Sequence, residues 1–214
     1  MKKIFLCLAV YTCFANMASA QSIKFAVSTG VAYANTFIKD GTKKVEGLGS
    51  SNGFTGGVTV TIPFSKYFSF QPGVNFLQKG YKNEQSATTL TLNYIEVPLH
   101  ILFNTHNNIT DKKADDFFFC IGPSFAFGTS GQFKLKTDSG TFKQNIKIGN
   151  GYNDDLKTLD CGANVVIGCQ FFNNLFFSAN YNIGLSNLTT EKDVRWRNNY
   201  LALRAGYCFG RNKK

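Results

Sequence analysis

The sequence predicts an all-β protein, an eight-stranded antiparallel up-and-down transmembrane β-barrel. Two observations lead to this fold class. The chain of 214 residues contains 22 Phe, 9 Tyr and 20 Gly, and few of its segments favour a helix. Phe117–Gly128 alternates bulky apolar residues with small ones, and neither of its faces carries a charge. A period of two indicates a strand, and one apolar face opposite one small-residue face is typical of a membrane barrel.

Residues 1–20 have the features of an export signal. A positively charged start precedes a short apolar run, and Ala18-Ser19-Ala20 matches the small-x-small pattern of a signal-peptidase site. The run is shorter than the roughly 20 residues that a membrane-spanning helix needs. We therefore expect a signal peptide at residues 1–20, a mature chain that begins at Gln21, and one barrel domain at residues 21–214 in the outer membrane.

The first half of the chain contains four segments with two unlike faces. Ile23–Ala34 alternates large apolar residues with Ala, Ser and Gly, and Phe54–Ile62 alternates Val and Ile with Gly and Thr. Tyr67–Gly80 places Phe and Val opposite Ser, Gln, Asn and Lys. Thr89–Phe103 places Ile, Val and Leu opposite Tyr, Glu, Pro and His. Each segment has about the 9–11 residues that a tilted membrane strand needs.

The second half repeats the pattern. After Phe117–Gly128 come Thr158–Phe171 and Leu175–Leu185, in which Val, Ile, Phe and Tyr alternate with Gly, Asn and Ser. Asn199–Phe209 ends the series with Leu, Tyr and Phe on one face and Ala, Arg, Gly and Cys on the other. Eight such segments give the even strand number that is usual for these barrels.

The connections alternate in length. Pro63–Lys66 and Asn173–Asn174 are tight, and Asn104–Asp116 is a polar link that we interpret as a solvated periplasmic turn. Short periplasmic turns and long outer loops are the usual arrangement in membrane barrels. The predicted outer loops are Asn35–Gly53, Tyr81–Thr88, Thr129–Lys157 and Ser186–Asn198.

Several motifs resemble the PorT-like outer-membrane β-barrel family of Bacteroidetes-type bacteria. They are Phe70-Gln71-Pro72-Gly73, Asn93-Tyr94-Ile95-Glu96-Val97-Pro98-Leu99, Tyr181-Asn182-Ile183-Gly184-Leu185 and Gly206-Tyr207-Cys208-Phe209. The resemblance extends over essentially the whole predicted mature chain. It implies an outer-membrane location, and because most members of the family have no assigned activity, it implies no mechanism.

The predicted barrel interior carries charge. Its inward positions include Glu96, Arg204, Lys79, Tyr94 and His100. A lone charge inside a small barrel is costly, so partners are expected. The fourth and eighth strands face each other across an eight-stranded barrel, so we expect Glu96 to pair with Arg204, with Lys79 and Tyr94 as further partners. We interpret this network as structural; the alternative is a proton or ion path.

The residue pattern predicts no catalytic, cofactor or metal site. The histidines are His100 and His106. Glu96 shares a face with His100 but lies roughly 13 Å away along the strand, too far for a direct pair. Two histidines without a Cys-x-x-Cys spacing argue against zinc. The interior of an eight-stranded barrel is just wide enough for side chains, which argues against a diffusion pore.

We predict a monomer without catalytic activity that has a structural or interaction role. The expected partners are outer-membrane lipid, lipopolysaccharide and other envelope proteins. Nucleic acid is not expected, because the net charge of +10 is spread over turns rather than gathered on one patch. The alternatives are a component of a secretion or surface-assembly machine, a lipid-modifying enzyme and a soluble lipocalin-like barrel with inverted faces. Loop lysines that could bind lipopolysaccharide phosphates, or simply be solvated, are Lys39, Lys43, Lys44, Lys134, Lys136, Lys143 and Lys147.

Overall fold

The computed structural model describes residues 23–105, 116–138, 140–151, 154–171, 173–189, 191 and 193–210. The predicted signal peptide, His106 and most of the predicted periplasmic turn Asn104–Asp116 lie outside these residues. No helix in the described residues is long and apolar enough to cross a membrane. The strands within them are β1 (Lys24–Asp40), β2 (Lys43–Lys44), β3 (Gly49–Pro63), β4 (Phe68–Asn83), β5 (Thr88–Asn104), β6 (Asp116–Thr137), β7 (Gly140–Ile146), β8 (Leu159–Gln170), β9 (Leu175–Gly184) and β10 (Val194–Gly210).

Eight of the described strands form a closed antiparallel ring in the order β1-β3-β4-β5-β6-β8-β9-β10. The ring closes because β1 pairs with β10 along its whole length, from Lys24 opposite Gly210 to Asp40 opposite Val194. The two-residue β2 pairs with the end of β1, and β7 forms a hairpin with β6 outside the ring. The predicted eight-stranded antiparallel up-and-down barrel is confirmed.

Several strands extend further outward than predicted. β1 continues to Asp40 instead of ending at Ala34, and β6 continues to Thr137 instead of Gly128. The segment 129–157, predicted as a loop, therefore contains the outer end of β6 and all of β7. The prediction failed there because strands above the membrane are held by backbone hydrogen bonds and need no apolar face.

The outward faces of the ring carry exposed apolar side chains. Phe25 and Phe209, opposite each other at the periplasmic end, are 57% and 51% exposed. Aromatic rings gather at the same end, where the centroids of Phe68 and Phe103 are 5.3 Å apart. Extended exposed apolar surface is unfavourable in water, and aromatic girdles mark the membrane interfaces of barrels. The outward faces therefore contact lipid.

Two local features adjust the backbone of the ring, a bulge in β6 and a close contact between β1 and β10. Thr129 is an extra residue in β6, because Asn93 is opposite Ser130 while Tyr94 is opposite Gly128. This bulge shifts the alternation of β6 by one residue. Gly30 of β1 lies opposite Arg204 of β10, and a Cβ atom at Gly30 would collide with the backbone of β10. The glycine therefore lets β1 and β10 approach each other closely at the level of Arg204.

Candidate functional site

The outer end of the lumen is filled by buried apolar side chains. Leu90, Leu92 and Tyr94 of β5 pack together with Leu156 and Leu188, and each of the five is at most 2% exposed. Leu156 and Leu188 come from segments that connect strands at the outer side. The outer connections thus close the barrel with apolar contacts, and we call this group the apolar cluster.

A buried ion pair lies below the apolar cluster. Lys79 Nζ of β4 is 2.9 Å from Asp160 Oδ2 of β8, and the two side chains are 2% and 1% exposed. The Ser186 hydroxyl donates to the other oxygen of Asp160 at 3.0 Å. Lys79 Nζ also lies 5.0 Å from the ring centroid of Tyr94 and 5.3 Å from that of Tyr200. Hydrogen bonds and cation–π contacts thus offset much of the desolvation of this pair.

Glu96 lies close to this ion pair and is fully buried. The Tyr200 hydroxyl donates to its carboxylate, 2.8 Å from Oε1 and 3.0 Å from Oε2, and Asn75 donates to Oε2 at 3.4 Å. Arg204 Nη2 is 4.0 Å from Glu96 Oε2, which exceeds hydrogen-bond length. Arg204 Nε and Nη2 have no hydrogen-bond partner among the described residues. The guanidinium therefore interacts with Glu96 through charge rather than through a hydrogen bond.

A chain of polar side chains runs along the inner wall beside these charges, over the neighbouring strands β5, β6, β8 and β9. His100 Nε2 is 3.2 Å from Asn164 Nδ2, and Asn182 Nδ2 donates to Asn164 Oδ1 at 2.7 Å. The same amide of Asn182 lies 3.0 Å from the Ser124 hydroxyl. Because His100 contacts this chain and is only 5% exposed, it is a packed interior residue.

The periplasmic half of the lumen is partly hollow. A cavity of ≈ 80 Å³ lies there, which is room for several water molecules. Arg204 and His100 form part of its wall toward the middle of the barrel. Its other polar lining residues include Lys24, Ser28, Thr59, Gln71, Ser178 and Asn180.

The structure places all five predicted interior residues in the lumen, and one of the expected partners of Glu96 pairs elsewhere. Arg204 is near Glu96, whereas Lys79 pairs with Asp160 rather than with Glu96. The sequence reasoning did not select Asp160 or Tyr200. Both were recognisable, because Asp160 shares the inward alternation of its strand with Gly162 and Asn164, and Tyr200 shares that of Ala202 and Arg204.

Among the residues that the structure describes, no group of three or more His, Cys, Asp and Glu side chains is arranged to hold a metal ion. What the described interior offers chemically is charge neutralisation and packing.

Comparison with solved structures finds several proteins to which this chain is similar. The structure of OprG from Pseudomonas aeruginosa is 12% identical with a TM-score of 0.49, and covers 87% of this chain and 95% of its own. Ail from Yersinia pestis gives 18% identity, a TM-score of 0.41 and coverages of 88% and 100%. The outer membrane protease OmpT from Escherichia coli is 9% identical with a TM-score of 0.38, and the match covers 91% of this chain and 100% of OmpT. No curated protein sequence matches the chain.

The family comparison covers most of the sequence. A model described as outer membrane protein beta-barrel domain matches residues 16–190. The match includes seven of the eight ring strands, from β1 to β9. The chain therefore belongs to the outer membrane protein beta-barrel domain family and is an outer-membrane β-barrel protein.

Proposed function

We propose that this barrel is a monomer without catalytic activity that acts by contact, as a structural or interaction protein of the outer membrane. The observation that carries the proposal is the filled lumen. The apolar cluster closes the outer end, the Lys79–Asp160 pair crosses the middle, and the cavity below measures ≈ 80 Å³. A barrel filled in this way offers its outer surface and its loops, rather than its interior, to other molecules.

The position of His100 supports a role without catalysis. A lipid-modifying enzyme needs an acid–base group where a lipid headgroup can reach it. His100 is 5% exposed inside the lumen, beside Asn164. The lipid-modifying alternative therefore receives less support from this residue than the structural role does.

The proposed partners are outer-membrane lipid, lipopolysaccharide and other envelope proteins. The exposed apolar belt supports the first of these, and the basic outer segments support the second. A role in a secretion or surface-assembly machine is favoured by one feature, the β6–β7 hairpin outside the ring, on which Phe142 is 57% exposed. PorT-like membership within the family, and export by a signal peptide at residues 1–20, belong to this proposal.

Reconstitution of the purified chain into planar bilayers and liposomes tests the proposal with two measurements. We expect no stepwise conductance, because the apolar cluster and the ion pair leave no continuous aqueous path. We also expect the masses of lipids extracted from the liposomes to stay unchanged. A heat-dependent shift in gel mobility verifies that the inserted protein is folded. Discrete channel openings would refute the filled-lumen argument, and a new lipid mass would favour the enzyme.

A further inference from the structure

Three basic side chains lie directly opposite one another at the outer end of β1. Lys39 of β1 is opposite Lys44 of β2 on one side and opposite Arg195 of β10 on the other. Opposite residues of antiparallel strands share a face and have Cβ atoms about 4.5–5.5 Å apart. The three cations therefore form a row across three neighbouring strands.

An aromatic ring and a fourth cation complete this row. Phe37 precedes Lys39 by two residues, so both point to the same face, and Phe37 is opposite Arg197. The Nζ atoms of Lys39 and Lys44 lie 5.4 Å and 5.5 Å from the centroid of the Phe37 ring. Cation–π attraction holds both ammonium groups over one spot. We call Lys44, Lys39, Arg195 and Arg197 the basic row.

Within the described part of the chain, no carboxylate lies within 4.0 Å of a cation of the basic row. Among the described residues, the ion pairs within 4.0 Å use other cations: Lys79, Lys82 and Arg204. Asp40 follows Lys39 in the chain but points to the opposite face, where its partner is Lys43. Like charges that face each other across strands destabilise a sheet. A bound anion would therefore relieve a repulsion that the fold builds in.

The basic row stands above the lipid-facing belt. Tyr33 and Leu201 are opposite each other on the same outward face and are 42% and 40% exposed. The Phe37–Arg197 pair lies four residues further out, which is about 10 Å in height at roughly 3.3 Å per residue and a strand tilt of about 40°. This is the level of the polar headgroups of a bilayer, and long basic side chains readily bend toward that interface.

We propose that the basic row binds the phosphate groups of a glycolipid headgroup in the outer leaflet. The inference rests on the proposed function, because it requires this barrel to stand in a membrane with such a lipid. Arginine supplies paired N–H donors that match phosphate, and lysine adds point charges. The basic row differs from the loop lysines that the sequence indicated. Lys43 points to the opposite face, and Arg195 and Arg197 are added.

Binding of the purified, folded chain to bisphosphorylated lipid A in detergent micelles tests the inference. We expect Lys39→Gln/Lys44→Gln to weaken binding about 25-fold, because each cation near an anionic surface contributes about a factor of five. The unaltered protein should bind lipid A without phosphates no more tightly than the double variant binds bisphosphorylated lipid A. Millimolar inorganic phosphate should not displace the lipid; displacement would point to a site for free phosphate and overturn the lipid assignment.

Two control variants separate a site from diffuse charge. Lys134→Gln/Lys143→Gln removes the same charge from lysines that are opposite each other on β6 and β7, and Lys43→Gln removes a charge beside the basic row. Both should bind within twofold of the unaltered protein. Equal weakening by the two double variants, or no weakening by Lys39→Gln/Lys44→Gln, would overturn the site. A conducting barrel would overturn the proposed function without changing these results.

Discussion

The outer end of the lumen and its middle are closed by different chemistry. At the outer end Leu90, Leu92 and Leu188 exclude water by packing, and loop residues take part. In the middle Lys79 and Asp160 meet across the barrel, from β4 to β8. The apolar part tolerates changes that preserve volume, whereas the charged part tolerates only changes that preserve pairing. One ring of strands thus combines two seals with opposite sensitivities to mutation.

The largest effect should come from breaking the buried ion pair. Lys79→Gln leaves Asp160 charged at a site where its side chain is 1% exposed. We expect the free energy of unfolding in detergent to fall by about 3–5 kcal/mol, because an unpaired buried charge keeps its desolvation penalty. The double variant Lys79→Gln/Asp160→Asn should recover most of this loss. Urea titration followed by tryptophan fluorescence measures the free energy of unfolding of the unaltered protein, of Lys79→Gln and of the double variant.

An exposed ion pair provides the matched control for this experiment. Lys82 Nζ is 3.3 Å from Glu84 Oε1, and these side chains are 56% and 84% exposed. Lys82→Gln should change the free energy of unfolding by at most about 1 kcal/mol. Similar losses for Lys79→Gln and Lys82→Gln would mean that water reaches the Lys79–Asp160 pair. The pair would then not close the middle of the lumen, and the apolar cluster would be the seal that remains.

The apolar cluster should respond less strongly and without dependence on charge. Leu92 is fully buried in it, and Leu92→Ala should lower the free energy of unfolding by about 3 kcal/mol through lost contacts and a cavity. Leu203→Ala, at a lipid-facing position that is 47% exposed, is the matched control and should lose less, because detergent fills the space of the removed atoms and no cavity forms. Equal losses would show that the outer end is loosely packed rather than sealed.

The sequence predicted the ring better than it predicted the interior contacts. Alternation decided the face of Glu96, Lys79 and Arg204 correctly, because in this barrel one face meets lipid and the other meets the lumen. Which inward side chains pair depends on whether they lie at the same height along the barrel axis, and the stagger of the strands around the ring fixes that height. A one-dimensional pattern holds no such information, and for that reason Asp160 was not recognised as the partner of Lys79.

The outer extensions of the strands escaped prediction for a different reason. Arg195 and Lys39 lie on strands above the membrane, where polar residues occupy both faces. Composition there resembles a loop, while the backbone still pairs. The basic row became visible only through the register, which brings together residues more than 150 positions apart in the chain.

The smallest effect concerns Glu96 and Arg204 in the middle of the lumen. Their closest atoms are 4.0 Å apart, whereas Tyr200 and Asn75 already supply hydrogen bonds to the carboxylate. We expect a coupling free energy of about 1 kcal/mol in the cycle of Glu96→Gln, Arg204→Gln and the double variant, within the range for neighbouring charges. The Lys79–Asp160 cycle should give more, since its atoms are 2.9 Å apart. Zero coupling would mean that Glu96 is held by its hydrogen bonds alone. Arg204 would then be a lining residue of the periplasmic cavity and not the counter-ion of Glu96.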